Sequence, residues 1–281
     1  MVATFGEVVY ESSRAFADDE EEECEAQTGL SFEVEHTSVA KSLLEKGSPA
    51  AGLVFCAFVG KVAVGFGDGF VNNKSGFDLL AEVCMVGQGE NVVDIYLNRP
   101  KKKVVAQLYY GAKDKNNPVI FALFNTHGVP RFLANEIVSK VTEFIEVSNR
   151  ILIFHSDTLA YYQSDERCEG KVFYVASSKY SRANIPSTAV PLAPPNVIGG
   201  IGAGVLMHGE MMDKPALLLA NYGENELVDS ISLQPFAAIV KQGAPDPSSF
   251  SLSQIFKQLE LTISQSLKSN VNPVAISNLY I

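Results

Sequence analysis

No apolar run in this chain approaches the ~20 residues that a helix needs to cross a bilayer, so no membrane span is expected. The start does not read as a secretory leader either, because Glu7, Glu11 and Arg14 interrupt its apolar residues. Cysteines are few. Cys24, Cys56, Cys84 and Cys168 stand too far apart in sequence to make a metal or redox pair, and Cys56 lies inside an apolar run, as a buried thiol does. These readings lead to the expectation of a reducing compartment: the cytoplasm, the nucleus or both. Positive charge is scarce: 22 Lys and Arg stand against 32 Asp and Glu, a net charge of −10 that argues against a general nucleic-acid binder.

Catalytic signatures are scarce too. His36, His127, His155 and His208 form no HxH, HxxxH or HExxH pattern, so no metal site is expected. "GGIGAG" (199–204) invites a phosphate-loop reading, but counting from Gly200 and Gly202 a dinucleotide fingerprint would need its third glycine at Val205. A P-loop would need Gly-Lys-Ser/Thr, which is absent from this stretch. The plainer reading is a glycine-rich lead into a helix that packs closely on its sheet. "HSD" (155–157) comes after a strand-like run, where α/β enzymes often keep catalytic groups. Adjacent residues of an extended segment point to opposite faces, however, and no GxSxG elbow accompanies them. No cofactor is expected.

What is present is a core. Apolar residues make up 47% of 281, enough for a sizeable packed domain. Residues 1–31 read as a flexible acidic arm, with seven acids in "DDEEEECE" (Asp18 to Glu25). "RPKKK" (99–103) reads as a solvated charged loop before the strand at 104, with a nuclear-import patch or a docking patch as the alternatives. The continuous apolar runs at 53–59, 61–66, 104–110, 118–124, 150–154, 171–177 and 216–221 suit strands covered on both faces. Helices are expected at 38–46, 132–150, 202–213, 229–241 and 251–269. In the second, Leu133, Ile137, Val141, Phe144 and Ile145 make one stripe; in the last, Ser251 and Gln254 fit a capping box. The proline-rich stretch 185–196 reads as a long crossing loop. Alternating strands and helices imply an α/β domain spanning 32–269, with a mixed or mostly parallel central sheet.

After the last expected helix, residues 270–281 read as an extended tail that closes on Leu279, Tyr280 and Ile281. Chain ends usually fray and carry polar residues, so an apolar tip either packs back on its own domain or is held out for a partner. With this tail, the start "ATFGEVV" before an acidic arm, "SLLEKG" ahead of "LVFCAFVGKVAVGFGDGFVNN", and the segments "PPNVIGGIGAGVLMHGEMMDKPALLLANY" and "VDSISLQPFAAIVK", the chain resembles the proteasome assembly chaperone 1 family.

The resemblance implies a three-layer α/β/α sandwich, phosphorylase-like in shape, with no catalysis. It also implies a heterodimer with proteasome assembly chaperone 2 on the α-subunit ring of the 20S proteasome precursor. There the pair promotes ring assembly and blocks premature activator binding, and the hydrophobic–tyrosine–X tail enters a pocket between α subunits. In that role Ile281 offers its carboxylate to a lysine, Tyr280 buries its ring and bonds through its hydroxyl, and Leu279 fills an apolar niche. Two other readings stay open: an α/β hydrolase or phosphorylase-like enzyme, and a scaffold whose tail folds back on itself.

Overall fold

The computed structural model describes residues 30–45, 52–72, 77–87, 102–111, 118–126, 129–164, 167–223, 228 and 230–242. Residues 1–29 of the expected arm, His127, the expected helix 251–269 and the tail 270–281 lie outside the described residues, and the last two residues of the expected arm, Leu30 and Ser31, belong to a strand. The chain divides into two compact units, one of residues 1–33 and 85–103, the other of residues 34–84 and 104–281. Of the smaller unit the described residues are the ends of three strands. The larger unit carries all the described helices and most of the strand residues.

Nine strands form one sheet: β1 (Leu30–His36), β2 (Val54–Val59), β3 (Phe77–Gly87), β4 (Lys102–Gly111), β5 (Val119–Phe124), β6 (Arg150–Thr158), β7 (Phe173–Ala176), β8 (Val190–Pro191) and β9 (Ala216–Gly223). Their order is β1-β3-β4-β5-β2-β6-β9-β7-β8. The middle four, β5-β2-β6-β9, run parallel, with Val59 level with both Phe124 and His155, and His155 level with Ala220. β4 joins β5 and β7 joins β9 antiparallel, so the sheet is mixed, as the sequence implied. β2 and β5 are buried at every position because helices cover both faces.

The helices are α1 (Ser38–Glu45), α2 (Lys61–Asn72), α3 (Ala134–Ser139), α4 (Thr142–Glu146), α5 (Gly200–Met211) and α6 (Ser230–Gln242). α2 and α6 pack together over one face of the sheet. Beneath them lies an aromatic cluster. Phe58 stacks on Phe154 with ring centres 5.3 Å apart, and Phe154 meets Phe236 of α6 edge-on at 5.4 Å. α5 covers the other face along β6 and β9, with α3 packed against it. These are the three layers of an α/β/α sandwich.

Two expected elements differ. Residues 61–66 were expected as a strand and begin α2. Gly60, at φ +88°, turns the chain off β2, and Val62, Ala63, Phe66 and Gly67 then repeat at helical spacing toward the core. The expected single helix 132–150 is broken into a 3₁₀ turn (Arg131–Leu133), α3 and α4, and Arg150 already belongs to β6. The hydroxyl of Ser139 donates to the Glu136 carbonyl at 2.6 Å and that of Thr142 to the Val138 carbonyl at 3.1 Å, bonds that compete with the helical ladder. All five residues of the expected stripe are nonetheless buried.

Candidate functional site

The carboxyl ends of four parallel strands open on one edge, the place where layered α/β folds keep their crevices. There lies a cleft of about 730 Å³. Its wall includes Asn125 and Thr126 after β5, His155 to Thr158 at the end of β6, Asn221 of β9 and the first residues of α5. Helix α2 comes directly after β2 and lines another side.

The side chains at the end of β6 alternate, and that decides what each can do. Ser156 faces α2, where its hydroxyl oxygen accepts the backbone N–H of Ala63 at 3.0 Å and so caps the helix. A Cβ on Gly60 would fall 2.0 Å from the Ser156 carbonyl oxygen, so the turn into α2 needs glycine for space as well as for φ.

His155 and Asp157 face the other way, toward α5. His155 is 6% exposed, and its Nε2 stands 3.7 Å from the Asp157 carboxylate, a long polar contact. The opposite ring nitrogen, Nδ1, is buried and has no hydrogen-bond partner among the described residues. It points at the first turn of α5: a Cβ on Gly202 would lie 2.6 Å from it. The glycine therefore lets the helix approach the imidazole.

Asp157 is held from three sides. Arg131 Nη2 donates to both carboxylate oxygens, at 3.0 and 2.9 Å, and the Thr158 N–H donates at 2.9 Å. Burial works to raise the carboxyl pKa, but the contact with His155, the Thr158 N–H and the Arg131 charge outweigh it and hold it below the ordinary value. The Arg131 guanidinium also lies over the Tyr161 ring, 3.7 Å from its centre, and remains 53% exposed.

Helix α5 begins without a side-chain cap: Gly199 offers none, and Gly200 turns in at φ +65° with open space where a Cβ would stand. The first N–H groups of a helix have no partner within it. Here they face the cleft that Gly199, Gly200 and Ile201 line. A shallower groove of about 470 Å³ separates α5 from α3 and α4, with Phe132, Met207 and Met211 exposed along it.

Thus His155 and Asp157 come together, whereas Ser156 is turned away from both and committed to α2, so "HSD" makes no catalytic triad. The glycine stretch 199–204 does lead into a closely packed helix, with Gly204 against Val138. Arg131, Tyr161 and Asn221 were not singled out from sequence. Asn221, after the run "ALLLA", carried the best available signal, a polar residue at the end of a buried strand. Leu279, Tyr280 and Ile281 lie outside the described residues, as does the run from Asp18 to Glu25. Cys56, Cys84 and Cys168 are buried, and burial pushes the Cys56 thiol well up. Among the described residues no helix is long and apolar enough to cross a membrane.

Residues 1–272 match the proteasome assembly chaperone 4 family, a neighbour by name of the chaperone 1 family that the chain resembles. No curated protein matches the chain. Among solved structures, a protein of unknown function from Thermoplasma acidophilum is 19% identical at a TM-score of 0.49, covering 87% of this chain and 98% of its own. Pyrococcus furiosus PbaA, an archaeal homolog of proteasome-assembly chaperone, is 13% identical at 0.48, covering 90% and 100%. PbaB from the same organism, an archaeal proteasome activator, is 12% identical at 0.47, covering 89% and 99%.

Proposed function

The chain belongs to the proteasome assembly chaperone 4 family, and from that premise we propose that it works as proteasome assembly chaperone 1 does, paired with proteasome assembly chaperone 2 on the α-subunit ring of the 20S precursor. The family match over residues 1–272 is the observation that carries this reading. The pair promotes ring assembly and keeps activators off until the particle is mature. It acts in the cytoplasm, the nucleus or both, a reading supported by cysteines that are few and far apart in sequence. The chain is assigned no catalytic activity. The family's role is a chaperone's, and Ser156, the one serine beside the His155–Asp157 pair in sequence, is occupied as a helix cap.

Leu279, Tyr280 and Ile281 dock the chaperone in a pocket between α subunits. Leu279 contributes about 1.5–3 kcal/mol if fully buried, and ordering each tail residue costs about 1–2 kcal/mol of backbone entropy. The tail alone therefore binds weakly, and contacts from the folded body must hold it near its pocket. The test is co-purification of α subunits and of the second chaperone, with the full chain and with residues 279–281 removed. Loss of α subunits from the shortened chain, with an unchanged melting temperature, is the expected result. Equal capture by both chains would refute docking through the tail, and absence of α subunits from both would refute the proteasomal role.

A further inference from the structure

We propose that residues 251–269, the amphipathic helix expected after α6, dock in the groove between α5 and α3–α4, antiparallel to α5. Helix α5 itself asks for a cover. Of its twelve residues only His208 and Glu210 carry polar side chains, and a helix apolar all round is one buried all round. Its inner side meets β6 and β9, with Val205 and Gly209 buried. Its outer side is open. Met207 is 58% exposed and Met211 78%, and Phe132 stands exposed in the same groove. Among the described residues of the opposite helical layer, α2 and α6 expose one large apolar side chain, Ile231.

The path of the chain selects the occupant. α5 and α6 both start at the cleft, which Ile201 and Ser232 line. α5 runs from there to the far edge of the sheet. A Cβ on Gly202 would meet His155 late in β6, and one on Gly209 would meet Ala216 at the start of β9. α6 takes the same direction. From Ser232 at the cleft it reaches Phe236, edge-on to Phe154, and a thirteen-residue helix is about 20 Å long. Gln242 therefore ends α6 near the edge where Met211 ends α5, on the other face of the sheet. Packed layers stand about 10 Å apart, so passing round the edge from one helical layer to the other spans about 20 Å. Residues 243–250 extend to about 26–29 Å, enough for that passage. A helix over 251–269 then starts beside Met211 and runs back toward the cleft for about 28 Å.

Side-chain spacing agrees with that direction. Phe256, Leu259, Ile263 and Leu267 lie on one stripe. Laid antiparallel on α5, Phe256 falls opposite Met211, Leu259 opposite Met207 and Ile263 opposite Gly204, all three of which line the groove. Residues 270–281 would then leave the folded body at the cleft edge of the sheet. The packing holds whether or not the tail docks on a proteasome.

The full chain is followed by amide hydrogen exchange and by paired cysteines. Amides of residues 255–267 should exchange at least about tenfold more slowly than in a free peptide of the same sequence. Met207→Lys alters a side chain that lies mostly in water unless something covers it. It should speed exchange over 255–267 about tenfold and leave β2 and β6 unchanged. Met207→Cys with Leu259→Cys should close a disulfide within one chain under mild oxidation, whereas Met207→Cys with Leu261→Cys, on the opposite side of the helix, should not. The proposal falls if residues 255–267 exchange as fast as the peptide, or if Met207→Lys leaves their exchange as it was. It falls equally if the disulfide forms only between two chains, which would make the groove an interface between copies, or if it forms as readily with Leu261→Cys. Protection that arises only when the second chaperone is added would give the groove to that partner and overturn the proposal. Should the double-cysteine chains not fold, exchange in the unaltered chain and in Met207→Lys decides the matter.

Discussion

The hydroxyl of Ser156 accepts the Ala63 amide hydrogen on one face of β6, while the imidazole of His155, one residue earlier, meets α5 on the other. Replacing Ser156 with alanine removes the cap of α2 and nothing from the His155–Asp157 pair. The expected loss is about 1 kcal/mol, which lowers the melting temperature by about 2–4 °C in a chain of this size. Asp157 makes a second residue-scale prediction, this time in pH. Its folded pKa lies below the unfolded one, so its stabilising contribution is complete above the ordinary carboxylate pKa of about 3.9. It is lost as pH falls through the lower folded value. Asp157→Asn should therefore be less stable than the parent near neutrality, and the two should converge below pH ~4. Denaturant midpoints measured across that range check it, and a gap that widens in acid would contradict the assignment.

Lys214, in the link between α5 and β9, stabilises another element through its end. Its ammonium group donates to the carbonyl oxygens of Ile145 at 2.9 Å and Ser148 at 2.6 Å, and to that of Glu146, closing the carboxyl end of α4. Lys214→Met keeps the stem and removes the charge. It should cost about 1.5 kcal/mol, the low end for charged hydrogen bonds because the group is partly hydrated, and be read as a lower denaturant midpoint. Nothing in the local sequence announces that contact, since its two sides are more than sixty residues apart. The same limit governed the elements. The strands β2 and β5, buried throughout, and the buried runs of β6 and β9 were legible because unbroken apolar runs have few other uses. Residues 61–66 were not, because a short apolar run suits a strand or a helix equally, and the choice turned on the φ of Gly60. β1 and β3 were missed because acids break their apolar pattern. Glu33 and Glu35 alternate with Phe32 and Val34, and Glu82 accepts a hydrogen bond from Gln107 Nε2 of β4 at 2.7 Å. Of the cleft, "HSD" and the glycine run were visible in sequence. Arg131 was not, because only the path of the chain brings the 3₁₀ turn beside β6.

At the scale of the whole molecule, stability is distributed in a way that bears on function. β2, β6 and β9 form the centre of the sheet, packed between the aromatic cluster under α2 and α6 and the apolar face of α5. β8 is two exposed residues at the sheet margin. Amide exchange should track that gradient, with protection close to the global unfolding free energy along β2, β6 and β9, and rapid exchange at β8. A docking tail must stay outside this cooperative unit, because a segment that contributes to its own core cannot be withdrawn to fill a pocket elsewhere without unfolding part of the fold. Removing Leu279, Tyr280 and Ile281 should therefore leave the protection of β2, β6 and β9 and the melting temperature unchanged, while capture of α subunits falls. If the slow amides of the central strands lose protection when those three residues are removed, the tail is part of the core and the proposed docking through it is refuted.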